Sequence, residues 1–131
     1  MKYTMAVLAL VLLLAGCEES ATTPPSSAVF VVEVVEGETF RILLQDEDRI
    51  SEARARLASA EAMVVHGELE RGTGGFNTEF SWHLKPATVT FVDMAMELCD
   101  GRPSYVESEL DYYLESVKYY CPWGVTIIAE E

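Results

Sequence analysis

Residues 38–60 read ETFRILLQDEDRISEARARLASA, and the hydrophobic period changes in the middle of them. Phe40, Ile42 and Leu44 recur every second residue, as in a strand with one covered face. Ile50, Ala53, Leu57 and Ala60 then recur at three- and four-residue intervals, which puts them on one side of a helix. Asp46 stands where the period switches. Its short carboxylate suits an N-cap, and Glu47 and Asp48 suit the positive end of a helix. Strand and helix therefore both belong to this fold, and the rest of the chain decides how they are arranged.

Upstream, AVFVVEVVEG (28–37) is valine-rich and ends at Gly37, which predicts a first strand and a hairpin into the second. Downstream, AMVVHGELE (62–70) and TEFSWHL (78–84) both alternate, with the glycine-rich RGTGGFN (71–77) between them. That pattern predicts a further hairpin. TVTFVDMAMEL (88–98) reads as a strand whose apolar phase shifts near Val92, as at a bulge or in a strand covered on both faces. In CDGRPSYVESELDYYLESV (99–117), Val106, Leu110, Tyr113 and Val117 are spaced for one helical face, and Ser104 with Glu107 fits a capping box. WGVTIIAE (123–130) closes the chain as a strand. The order β-β-α-β-β-β-α-β, with two helices, predicts a single α+β domain built on a mostly antiparallel sheet with its helices on one face.

The N-terminus carries an address. Lys2 precedes the unbroken apolar run Met5–Leu14, followed by small Ala15 and Gly16. This is the layout of a signal peptide over residues 1–16, and the run is short of the roughly 20 residues a spanning helix needs. LAGC (14–17) resembles the lipobox of bacterial lipoproteins. That resemblance implies cleavage before Cys17, lipid on its sulfur and acylation, palmitate included, of its amino group. More than one acyl chain makes such an anchor stable. In signals of this kind an aspartate after the cysteine favours inner-membrane retention; Glu18 stands there, so the outer membrane is expected. Residues 17–28 continue as a small, polar, proline-containing tether with nothing to build a core from, reaching roughly 18 Å as a coil. Residues 29–131 are left for the folded domain.

The chain carries 9 Lys+Arg against 22 Asp+Glu, and losing Lys2 with the signal leaves 8 against 22, a formal charge of −14. Such a surface repels phosphate backbones and argues against a nucleic-acid partner. Of the 3 cysteines, Cys17 is engaged by lipid, and an exported protein leaves the other two free to oxidise. A Cys99–Cys121 disulfide is expected.

Three segments, FSWHLKP (80–86), MELCDGRPSYVE (96–107) and YYCPWG (119–124), resemble a family of small exported domains whose names often contain "calmodulin" or "calmodulin-binding". The resemblance spans nearly all of residues 29–131. It implies a family and no particular reaction. An EF-hand loop does not fit: starting at Asp46, oxygen ligands are needed at positions 1, 3 and 5 and glycine at 6, but Ile50 and Ser51 occupy the last two.

Candidate site residues follow from these segments. Trp82, His83, Asp100 and Trp123 form a candidate binding surface, since aromatics with polar tips are frequent at interfaces. Core use of the same aromatics is the stronger of the two readings for Trp82 and Trp123. If Arg71 pairs with Thr78 across the turn, His66 lies opposite His83 with Glu68 on the same face, a weak candidate zinc set. A surface histidine pair is the favoured reading of those residues. RGTGGFN lacks the Lys-Ser/Thr and the following helix of a phosphate loop, and no G-x-S-x-G occurs. No catalytic set and no cofactor is therefore expected. The expectation is a lipid-anchored, non-catalytic envelope module whose partner is another envelope or extracellular protein, or a small ligand. The alternatives are an inhibitor of a secreted hydrolase presenting residues 72–77, or a small metal-dependent enzyme using His66 and His83.

Overall fold

The computed structural model describes residues 26–35 and 37–131. The signal peptide, Cys17 and the tether as far as residue 25 lie outside the described residues. Ordered pairing begins at Ala28, one residue ahead of the expected domain boundary. No helix among the described residues is long and apolar enough to cross a membrane.

The fold is α+β with antiparallel sheets and one disulfide, Cys99–Cys121. β1 (Ala28–Glu33) and β2 (Thr39–Leu44) form the expected hairpin. α1 (Glu47–Ser59) follows, capped as expected by the Asp46 carboxylate, which accepts from the Arg49 N–H at 3.0 Å. The helix turns inward at Ile50 and Ala53, both buried, and packs against the last strand and β2. It ends in a left-handed Ala60.

β3 (Val64–Arg71) organises the second half. β4 (Trp82–Leu84) and β5 (Thr90–Val92) both pair with it, joined by a 3-10 turn over Pro86–Thr88. From His66 to Leu69 is three steps along β3, whereas from Thr90 to Leu84 is six on the facing segment. The Lys85–Val89 link therefore loops out and fastens itself back, with the Thr88 hydroxyl accepting from the Glu68 N–H at 2.9 Å. The expected strand over 88–98 is corrected here: it stops at Val92, and Met94 and Met96 beyond it are exposed.

The second helix is also broken. α2 (Pro103–Ser108) and α3 (Leu110–Tyr112) are separated at Glu109, and a π turn over Tyr113–Val117 finishes the element. Val106, Leu110, Tyr113 and Val117 are all buried, so the expected apolar face is real even though the helix is not continuous. The expected capping box does not form. Pro103 occupies the first turn, where its missing N–H costs nothing. The Ser104 N–H and hydroxyl donate to Glu38 (2.9 and 2.7 Å), and Glu107 accepts from Ser81.

β6 (Tyr119–Tyr120), not anticipated from the sequence, pairs with β3, and β7 (Thr126–Glu130) pairs with β1. Two sheets result, β2-β1-β7 and one around β3, in place of the single sheet expected. The Met63–Val125 bridge joins them, so the segment from Tyr119 to Glu130 passes from one sheet to the other. The core lies between: Phe30, Val32, Phe40, Ile42, Leu84, Trp82, Tyr120 and Ile127 are almost wholly excluded from solvent. Phe40, Trp82 and Tyr120 meet at its centre, with ring centroids 5.2 to 5.7 Å apart in tilted and edge-on arrangements that suit the ring quadrupoles.

Candidate functional site

The disulfide brings two short turns of irregular backbone side by side. Cys99 and Cys121 have Cα atoms 5.1 Å apart, and the Cys121 N–H donates to the Cys99 carbonyl at 2.8 Å. Asp100-Gly101-Arg102 therefore lies beside Pro122-Trp123-Gly124. The Asp100 carboxylate fastens the two: its Oδ1 accepts from the Gly101 N–H (2.8 Å) and the Trp123 N–H (3.0 Å).

Two buried tyrosines hold the first turn from below. The Tyr113 hydroxyl donates to the Asp100 carbonyl at 2.8 Å, and the Tyr120 hydroxyl to the Gly101 carbonyl at 2.7 Å. Burial pushes the Tyr113 phenol up to about 12, with the Asp100 charge acting in the same direction. Burial pushes Tyr120 well above its ordinary range too. Both groups thus stay protonated donors over the physiological range. Gly101 has φ +143°, where an L side chain is strained, and a Cβ there would press on the Tyr113 hydroxyl at 3.0 Å.

With Val34 and Val35 from the end of β1, these turns line an open cleft of about 670 Å³. Val35 is 62 % exposed and Trp123 is 36 % exposed, so the cleft offers apolar surface to solvent. Arg102 lines it as well, its Nε 3.9 Å from Glu38. The Ser104 hydroxyl bond holds the Glu38 carboxyl below its ordinary value, and Arg102 adds to that lowering. The set offers a carboxylate, a guanidinium, an indole and aliphatic surface. It contains no activated nucleophile, and it suits recognition.

The four candidate surface residues are divided by the fold. Asp100 and Trp123 meet at this cleft. Trp82 is wholly buried in the core, with its indole Nε1 lacking a hydrogen-bond partner, and His83 is buried beside it in β4. Neither belongs to a surface. The His83 Nδ1 lies 2.7 Å from the Gly72 carbonyl and its Nε2 3.1 Å from Glu70, bonds that hold the 72–77 turn.

The candidate zinc set is not assembled. Arg71 pairs with Trp82 rather than Thr78, so His83 faces Glu70 and His66 faces Thr90. His66 stacks on Tyr119 at 5.1 Å, and Glu68 lies 4.0 Å from Lys85. Among the described residues no group of three His, Cys, Asp or Glu side chains is placed to hold a metal ion. An EF-hand loop starting at Asp46 would run through residues 47–57, which are helix.

Sequence reasoning missed Val34, Val35 and the supporting tyrosines Tyr113 and Tyr120. Valines in a strand carry no mark of a binding site. The spacing of Tyr113 marks it as part of an apolar helical face, and nothing local marks its hydroxyl, or that of Tyr120, as the support of a turn.

A model of one domain family, the BP-74 N-terminal domain, matches residues 26–131. No curated protein and no solved structure gives a match.

Proposed function

The chain belongs to the BP-74 N-terminal domain family, and with that as premise we propose that it is a non-catalytic binding module, held at a bacterial envelope by lipid on Cys17. The observation that carries the binding reading is the cleft between the 100–102 and 122–124 turns, with Trp123 partly exposed and both turns tied down. A disulfide, a shared carboxylate and two tyrosine hydroxyls fix its shape before any ligand arrives. Preorganisation of that kind lowers the entropy lost on binding. The partner is an envelope or extracellular protein, or a small ligand. The lipobox resemblance of residues 14–17 supports the anchor, and Glu18, in place of an aspartate after Cys17, supports the outer membrane over the inner as the location.

Two experiments test this. Labelled palmitate incorporated into the wild-type chain in cells, and absent from Cys17→Ala, supports the anchor; equal labelling of both overturns it. A thermal-shift panel on the full chain in detergent uses metals including calcium, peptidoglycan fragments, sugars and secreted proteases. A ligand of the folded state raises the melting temperature. Loss of that shift in Trp123→Ala places the ligand at the cleft, and an undiminished shift removes it from there. Calcium belongs in the panel because of the similarity to domains named for calmodulin.

The inhibitor reading has one observation in its favour. Thr73, Gly74 and Gly75 form an exposed tip on a firm base, since Asn77 is wholly buried and His83 bonds the Gly72 carbonyl. A protease blocked by the wild type and released by substitution of Thr73 would favour that reading over the cleft.

A further inference from the structure

We infer that the cleft recognises a cationic side chain, lysine or arginine, on a peptide segment of the partner protein. The inference rests on reading the cleft as the binding site and adds the chemistry of what enters it.

The charge argument comes first. The whole chain carries 22 Asp+Glu against 9 Lys+Arg, so a basic partner is drawn toward it and an acidic one is repelled. At the cleft the same sign holds. Asp100 supplies the lining carboxylate, and Glu38, behind the lining and 3.9 Å from the Arg102 Nε, offsets the charge of that guanidinium. Asp100 is exposed, and its Oδ1 is engaged by two backbone N–H groups, which fix the direction its charge presents.

The second argument is the indole. The Asp100 carboxylate accepts from the backbone N–H of Trp123 at 3.0 Å, so the residue that carries the indole stays beside the carboxylate while that bond holds. An ammonium or guanidinium gains from a carboxylate and from an indole face together, and tryptophan is the best of the aromatic partners. An anionic ligand would meet repulsion from the Asp100 carboxylate, and a neutral one would leave its charge unpaired.

The third argument is size. A cleft of about 670 Å³ exceeds one side chain, and exposed Val35 adds apolar surface beyond the charged end. A peptide supplies methylenes and neighbouring side chains to cover it, which a small polyamine does less fully.

The test uses the full chain in detergent micelles at fixed ionic strength, with trilysine, its side-chain-acetylated form and spermidine as probes. The two tryptophans give separate indole N–H signals in a nitrogen-edited NMR spectrum. Trilysine should move the Trp123 signal saturably and leave that of buried Trp82 in place. The acetylated peptide and spermidine should bind at least about tenfold more weakly. Asp100→Asn keeps an oxygen for the Gly101 and Trp123 N–H groups and removes the charge. It should weaken trilysine about fivefold, within the range of exposed cation–π and charge-assisted contacts, at an unchanged melting temperature. Glu47→Gln, on exposed α1, should change nothing.

Equal losses in Asp100→Asn and Glu47→Gln would mean diffuse attraction to an acidic surface and would overturn the inference. Spermidine binding as tightly as trilysine would overturn the peptide. If the acetylated peptide moves the Trp123 signal equally well, cation recognition fails while the cleft stands as a binding site. If no basic probe moves that signal but a member of the thermal-shift panel does, the result is the same. Only silence of Trp123 toward every probe and the whole panel removes the cleft itself.

Discussion

Asn77 is a polar side chain with no solvent contact, and it acts as a peg between two strands. Its Oδ1 accepts from the Arg41 N–H of β2, and its amide donates to the Trp82 carbonyl of β4, both at 2.9 Å. Truncation leaves a donor and an acceptor unpaired away from water, each costing about 1–3 kcal/mol. Asn77→Ala should therefore lower stability by about 2–4 kcal/mol, read as a lower urea midpoint at an unchanged slope. The peg also explains why the register of the second hairpin was not legible in the sequence. RGTGGFN looks like a turn, and an asparagine in it looks like a turn residue. In the fold the connection continues to Ser81, with Asn77 turned inward and Arg71 opposite Trp82. A four-residue difference in where the turn closes, Trp82 in place of Thr78, separated His66 from His83 and dissolved the zinc set. Nothing in local composition distinguishes an inward asparagine from an outward one.

At the scale of elements, period was a good guide and continuity a poor one. The helix over 47–59, the first hairpin and the buried face Val106–Val117 could all be read from spacing, because burial on one side imposes that spacing. The break at Glu109, the looped-out Lys85–Val89 and the early end of β5 could not. They are set by what the neighbouring element needs. The 100–102 turn requires Tyr113 and Tyr120 beneath it, and the last helical turn widens to a π turn starting at Tyr113. The disulfide was legible by counting cysteines, and its position beside the cleft was not. Replacing both Cys99 and Cys121 by serine should cost about 3 kcal/mol, from freeing the unfolded chain, in chemical denaturation. It should also weaken any cleft ligand, because the two turns would then be joined only by the backbone bond from residue 121 to residue 99 and by the Asp100–Trp123 bond. A double variant that loses stability while keeping full ligand affinity would show the turns to be self-supporting.

The whole molecule responds to pH from both ends. Hydrogen bonding from Ser104 lowers the Glu38 carboxyl, from Arg54 that of Glu130, and from Arg41 that of Glu131. A carboxyl lowered in the fold favours folding above its ordinary value of 4.5, and that contribution is lost as pH falls below it. The buried tyrosines act oppositely. Tyr113, raised from 10.0 to about 12, contributes fully below pH 10, and the contribution disappears as pH climbs toward 12. Melting temperature against pH should therefore be flat between these limits and fall outside them, with Tyr113→Phe removing part of the alkaline fall. An alkaline limb unchanged in Tyr113→Phe would contradict the burial argument. The first and last strands of the domain also meet: β1, from Ala28, sits between β2 and β7, and its outer partner runs to Glu130. That ladder closes almost the full length of the domain, a costly loop for a searching chain to form. During synthesis the central strand of this sheet has no second partner until residues 126–130 have emerged, so the domain completes its fold late. A chain in that condition stays threadable, a property that fits the passage across a membrane which the proposed lipid anchor would require.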